Sequence, residues 1–169
     1  EIESTISKTH SFREVIKSKT FLKVLMLGVV LQAIQQFSGI NTVIYYAPSI
    51  FKLAGFATPI EQMWATVVVG TVNMLTTIIA IMYVDRWGRK PILYFGLCTT
   101  TISLGLLGYL FHVGIDSVVS QYLAVALVLS FIFGFAVSLG PIIWILCAEI
   151  FPLKGRDVGV GVTTATNWI

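Results

Sequence analysis

Seven side chains able to hydrogen-bond, Gln32, Gln35, Gln36, Ser38, Asn41, Tyr45 and Tyr46, crowd into fifteen residues of an otherwise apolar stretch. On a helix advancing ~100° per residue, Gln32, Gln35 and Gln36 turn to one side, and Gly39 permits a bend that swings Asn41 toward the same space. A buried amide without a partner costs on the order of 1–3 kcal/mol, so these groups cannot all face hydrocarbon. Either they line a wet path or they bond to neighbouring helices, and the second reading stays open for Gln32 in particular. The group as a whole is expected to line the path. An amide both donates and accepts, as a sugar hydroxyl does, so the expected cargo is a neutral monosaccharide. Between Lys23 and Val84 the ionisable side chains besides tyrosine are Lys52 and Glu61, both placed outside the membrane. That argues against an amino acid, phosphate or metal cargo. Trp144 offers either an apolar face to a sugar ring or a packing surface.

The elements that must position these groups are membrane spans. Hydrophobic residues make up 56% of the 169-residue chain and charged ones 11%; with a mean hydropathy of +0.88, the composition suits a bilayer and not an aqueous core. About 20 apolar residues at ~1.5 Å each cross the hydrocarbon, and the chain supplies such runs in succession. Span one is expected over residues 21–51, interrupted at Ser38, Gly39 and Asn41. Span two covers 63–84, span three 91–111, and span four 122–147 with a break at Gly140-Pro141. Span five begins beyond Arg156 and is cut off at Ile169. All are helices, since each backbone group must be satisfied within its own segment. The chain opens at Glu1 without an initiator methionine and is taken to be a fragment, with residues 1–20 a polar connecting segment and 21–169 an incomplete transmembrane region.

Orientation follows from the cations. Lys8, Arg13, Lys17, Lys19 and Lys23 precede or open span one, Arg86, Arg89 and Lys90 follow span two, Lys154 and Arg156 follow span four, and only Lys52 lies on the other side. The first segment and the turns after spans two and four are therefore expected to be cytoplasmic. The net charge of +3 is explained by this topology, and no nucleic-acid partner is expected. Spans one and four, both interrupted and running in opposite directions three helices apart, fit an inverted repeat whose discontinuous helices meet at a substrate site. Cys98 and Cys147 lie in apolar spans and are read as packing, not as a disulfide.

A second set of residues is charged. Asp85 and Glu149 stand near helix carboxyl ends and Arg156 near an amino end, each the wrong sign for its helix dipole. Pairing among them and with Arg86 and Arg89 would offset that cost, which suggests an ion-pair clamp that opens when the protein opens inward. Solvated loop charges are the competing reading.

Several runs together carry a family likeness: Gln35-Gln36-Phe37-Ser38-Gly39-Ile40-Asn41 with Tyr45-Tyr46, Asp85-Arg86-Trp87-Gly88-Arg89-Lys90, Gly140-Pro141 with Trp144, Glu149-Ile150-Phe151-Pro152 through Arg156, and Asn167-Trp168. They resemble the sugar porter family of the major facilitator superfamily over nearly the whole chain. Pro152 to Asp157 and Thr164 to Trp168 look most like the bacterial galactose–proton and arabinose–proton symporters, although Phe151 stands where those have glutamine. The resemblance implies an all-α transmembrane major facilitator fold, of which this chain supplies helices 7–10 and the start of 11 in the C-terminal six-helix half, with residues 1–20 a cytoplasmic connection from the N-terminal half. It implies a plasma (inner) membrane protein that moves a hexose or pentose by alternating access. By that likeness Gln35, Gln36, Asn41, Asn73, Trp144 and Asn167 contact the sugar, and Tyr45 and Tyr46 form an extracellular gate. Asp85, Arg86, Arg89, Glu149 and Arg156 match the cytoplasmic ion-pair motifs. No cofactor or metal is implied, and a proton is the expected coupling ion. Facilitated uniport and a non-transporting sugar receptor on the same fold are the alternatives. A membrane enzyme is disfavoured, since no metal-ligand or nucleophile–base arrangement is visible.

Overall fold

The structure, a computed structural model, describes residues 18–153 and 155–168. Lys8, Arg13 and Lys17 of the expected connecting segment, together with Lys154 and Ile169, lie outside the described residues. The helices are α1 (Lys19–Phe37), α2 (Ile40–Tyr45), α3 (Ala47–Leu53), α4 (Pro59–Trp87), α5 (Arg89–Val113), α6 (Val118–Val137), α7 (Leu139–Ile150) and α8 (Arg156–Trp168). No strand occurs among the described residues. Among the described residues, four helical stretches are long and apolar enough to cross a membrane: Lys19–Tyr45, Pro59–Trp87, Arg89–Val113 and Val118–Ile150. These are the expected first four spans.

Local chemistry explains where the helices begin and break. Ser18 Oγ accepts from Phe21 N at 3.1 Å and starts α1. Thr58 and Glu61 form a reciprocal capping box, at 3.3 and 3.1 Å, with Pro59 at the first helical turn of α4. Ser117 and Ser120 cap α6 in the same way. Gly39 takes φ +84°, a left-handed conformation that interrupts span one. Asn41, expected as part of this interruption, lies instead within α2. A further step at Tyr46 precedes α3, with Pro48 in its first turn. In span four the break falls at Ser138, slightly upstream of Gly140-Pro141. The cause is still Pro141: its ring lacks the N–H that would bond the Val137 carbonyl and collides with that carbonyl in a continuous helix. His112, expected just beyond span three, lies in the last turn of α5.

The described residues divide into two compact units, one of residues 18–38 with 143–153 and 155–168, the other of residues 39–142. In the second unit α6 packs against both α4 and α5. Small residues set the α5–α6 approach: a Cβ on Gly96 would overlap the Ser138 hydroxyl, and one on Gly134 would lie 3.0 Å from Thr99 Cβ. The hydroxyls there close on their own helices, Thr100 Oγ1 to the Gly96 carbonyl at 2.9 Å and Ser138 Oγ to that of Gly134 at 2.7 Å. Val128, Phe131 and Ile132 of α6 are fully buried in this unit, whereas Trp64, Met82, Tyr94 and Tyr109 are exposed. Large exposed apolar side chains suit a lipid solvent.

In the first unit α1 packs on α8. Gly28 lets α1 come close, since its added Cβ would stand 2.7 Å from Thr163 Cγ2. Gly159 similarly admits the ring of Phe151, which also tilts against Phe21 at 5.9 Å between centroids. Phe151 thus fills an aromatic layer where a glutamine would have to find polar partners.

Candidate functional site

One turn beyond the Gly28–Thr163 contact, Gln32 of α1 meets Asn167 of α8. Both pairs are four residues apart on their helices, so the polar layer stacks directly on the small-residue layer. Asn167 Nδ2 donates to Gln32 Oε1 at 2.7 Å and to Gln35 Oε1 at 2.8 Å. Gln36 Nε2 donates to the Asn167 main-chain carbonyl and lies 3.4 Å from its Oδ1. Behind this group Gln32 Nε2 points to Cys147 Sγ at 3.7 Å, and the Cys147 thiol points to the Gly28 carbonyl at 3.9 Å.

The arrangement is neutral throughout, and its members differ in access. Gln32 is fully buried, Gln35 and Asn167 are buried, and Gln36 is half-buried. An amide nitrogen carries two donor hydrogens, and Asn167 directs both at glutamine oxygens. Asn167 therefore holds Gln32 and Gln35 in fixed orientations, while its Oδ1, 3.4 Å from Gln36 Nε2, keeps a second lone pair for another donor. A set of amides fixed in this way can present donors and acceptors to hydroxyl groups at little reorganisation cost.

The first unit thus brings together Gln35, Gln36 and Asn167, with Gln32 and Cys147 added. The same unit carries Trp144 on α7, 37% exposed, and the charged Glu149 and Arg156. Arg156 is the first residue of α8, and its Nε is buried without a hydrogen-bond partner among the described residues. The remaining expected residues belong to the second unit. Asn41 is exposed on α2, and Tyr45 and Tyr46 are exposed at its end. Asn73 is half-buried on α4, where its carbonyl accepts from Thr77 Oγ1 at 2.8 Å. Asp85 and Arg86 occupy the last turn of α4, and Arg89 opens α5. The Arg86 guanidinium stands over the Tyr83 ring, 5.9 Å from its centroid.

Helical periodicity alone groups the three glutamines. The role of Cys147 was missed, because its contact to Gln32 spans 115 residues of sequence and a cysteine in an apolar helix carries no sign of it.

Apolar helices of spanning length, one of them joined to its neighbour by an uncharged amide network, mark a segment of a multi-pass membrane protein. The chain belongs to the sugar (and other) transporter family, whose model matches residues 1–169. It is 54% identical to the galactose-proton symporter of Escherichia coli K12 over 153 residues, covering 90% of this chain and 33% of that protein. It is 46% identical to the arabinose-proton symporter of the same strain, covering 87% of this chain and 32% of that protein. The structure of the major facilitator superfamily proton:xylose symporter XylE bound to 6-bromo-6-deoxy-D-glucose matches with a TM-score of 0.81 at 33% identity, over 96% of this chain and 34% of that one. The fold is therefore that of the major facilitator superfamily, and the chain spans about a third of the length of the curated relatives it matches. The relatives are transporters, not enzymes.

Proposed function

We propose that the protein to which this chain belongs carries a monosaccharide across the plasma membrane by alternating access, coupled to protons. The observation that carries this reading is the uncharged amide group of Gln32, Gln35, Gln36 and Asn167, within a chain similar to proteins named as galactose- and arabinose-proton symporters. Gln35 and Gln36 hydrogen-bond sugar hydroxyls, Asn167 orients them and offers Oδ1, and Trp144 gives its ring to the apolar face of the sugar. Asn41 and Asn73 supply further polar contacts. Tyr45 and Tyr46 close the outer side, while Asp85, Arg86, Arg89, Glu149 and Arg156 pair on the cytoplasmic side and separate on inward opening. In this reading residues 1–20 lead in from the N-terminal half of the same chain, which completes the pocket.

The deciding experiment is uptake of radiolabelled galactose and arabinose into proteoliposomes containing the full-length protein, with and without an inward proton gradient. Uptake accelerated by the gradient supports symport. Uptake indifferent to it indicates facilitated uniport, and sugar binding without uptake indicates a receptor; either result overturns the proton-coupled reading.

A further inference from the structure

The charged turn between α4 and α5 sits at the mouth of an apolar cavity of about 620 Å³ that the sugar reading does not use. Its walls come from three helices of one unit: Ile79, Tyr83 and Trp87 of α4, Ile92 and Phe95 of α5, and Val137 of α6. Ile79, Tyr83 and Trp87 recur every four residues, so the groove follows one face of α4 for ~12 Å, from the turn into the apolar band. Tyr83 and Trp87, tilted together at 6.0 Å between ring centroids, lie toward the charged end, where aromatic side chains collect at membrane interfaces. Phe95 closes edge-on against Phe133 at 6.4 Å and bounds the apolar side.

The mouth is positive. Residues 85–90 hold Arg86, Arg89 and Lys90 against Asp85 alone, three positive charges and one negative, a net of +2. Arg86 and Lys90 are exposed, and Arg86 is stationed above Tyr83, one of the groove's own walls. A ligand that fits must carry a linear apolar tail of about that depth and a negative head at the interface. We propose that the groove binds an anionic phospholipid, its acyl chain along Ile79, Tyr83 and Phe95 and its phosphate at Arg86 and Lys90. A zwitterionic lipid has the tail but no net charge to match the turn, and inorganic phosphate has the charge but no tail.

The test uses the full-length protein in vesicles of phosphatidylcholine with graded amounts of phosphatidylglycerol, either lipid carrying brominated chains. Trp87 lines the groove, so the difference in fluorescence between the native protein and Trp87→Phe reports contact at this site. Brominated phosphatidylglycerol should quench that signal at a mole fraction at least about fivefold lower than brominated phosphatidylcholine, since each basic residue near the surface contributes roughly that factor. The double variant Arg86→Gln/Lys90→Gln should bring the two lipids to parity. Should the double variant fail to insert, Lys90→Gln alone should lose about fivefold of the preference. Equal quenching by both lipids overturns the proposal, as does a preference that survives loss of the cations. Absence of quenching by either also overturns it, by showing that another part of the full-length chain covers the groove. Sugar uptake is not the readout, so this result is independent of the transport reading.

Discussion

Removing the Asn167 side chain tests whether the amide group is one cooperative unit. The structure gives Asn167 two short donations, 2.7 Å to Gln32 and 2.8 Å to Gln35, in a layer where all three side chains are buried. Asn167→Ala therefore leaves two buried carbonyl oxygens without these donors, at about 1–3 kcal/mol each. Part of that cost falls on stability, and part on sugar affinity, because Gln35 loses its fixed orientation. We expect the dissociation constant for the transported sugar to rise roughly 5- to 150-fold, the range that about 1–3 kcal/mol spans. A double-mutant cycle isolates the cause. Gln35→Met alone removes an acceptor, Asn167→Ala alone strands one, and the pair together removes both partners, which is far less costly than stranding either. The coupling energy should reach about 0.5–3 kcal/mol, measured as sugar affinity by titration calorimetry and as thermal stability in detergent. Additive single effects, or an Asn167→Ala protein with unchanged affinity and melting temperature, would refute the network.

Three other changes probe separate parts of the argument. Gln36→Ala should weaken sugar affinity by about 1–3 kcal/mol with expression near normal, checked by equilibrium binding; unchanged affinity counts against Gln36 as a sugar ligand. Gly28→Ala places a methyl group 2.7 Å from Thr163 Cγ2 and should cost about 1–3 kcal/mol in thermal stability, while Thr163→Ser, which deletes that methyl and keeps the hydroxyl, should restore most of it. Glu149→Gln should shift the protein toward inward-facing states, read as faster thiol labelling of a cytoplasmic-side cysteine; no change in labelling or transport removes Glu149 from the gate.

The sequence and the structure agree where the deciding forces act between near neighbours. Span positions are legible because about 20 consecutive apolar residues settle a helix whatever surrounds them. The shared face of Gln32, Gln35 and Gln36 is legible because helical periodicity fixes it. The break in span four was nearly so: Gly140-Pro141 announces it, yet proline acts on the carbonyl four residues earlier, so the helix yields at Val137–Ser138. What the residues alone could not decide was whether the glutamines meet water or another helix. For Gln32, Gln35 and Gln36 the answer includes another helix, since Asn167 stands across from all three. Asn167 entered the site only through family resemblance, because a residue 132 positions from Gln35 leaves no periodic trace. Helix-to-helix bonding and ligand binding are not rivals here. In the sugar reading proposed above, amides that share hydrogen bonds across a helix pair are held in place before the ligand arrives, so less of the binding free energy is lost to ordering them, and each amide can both donate to and accept from a hydroxyl group.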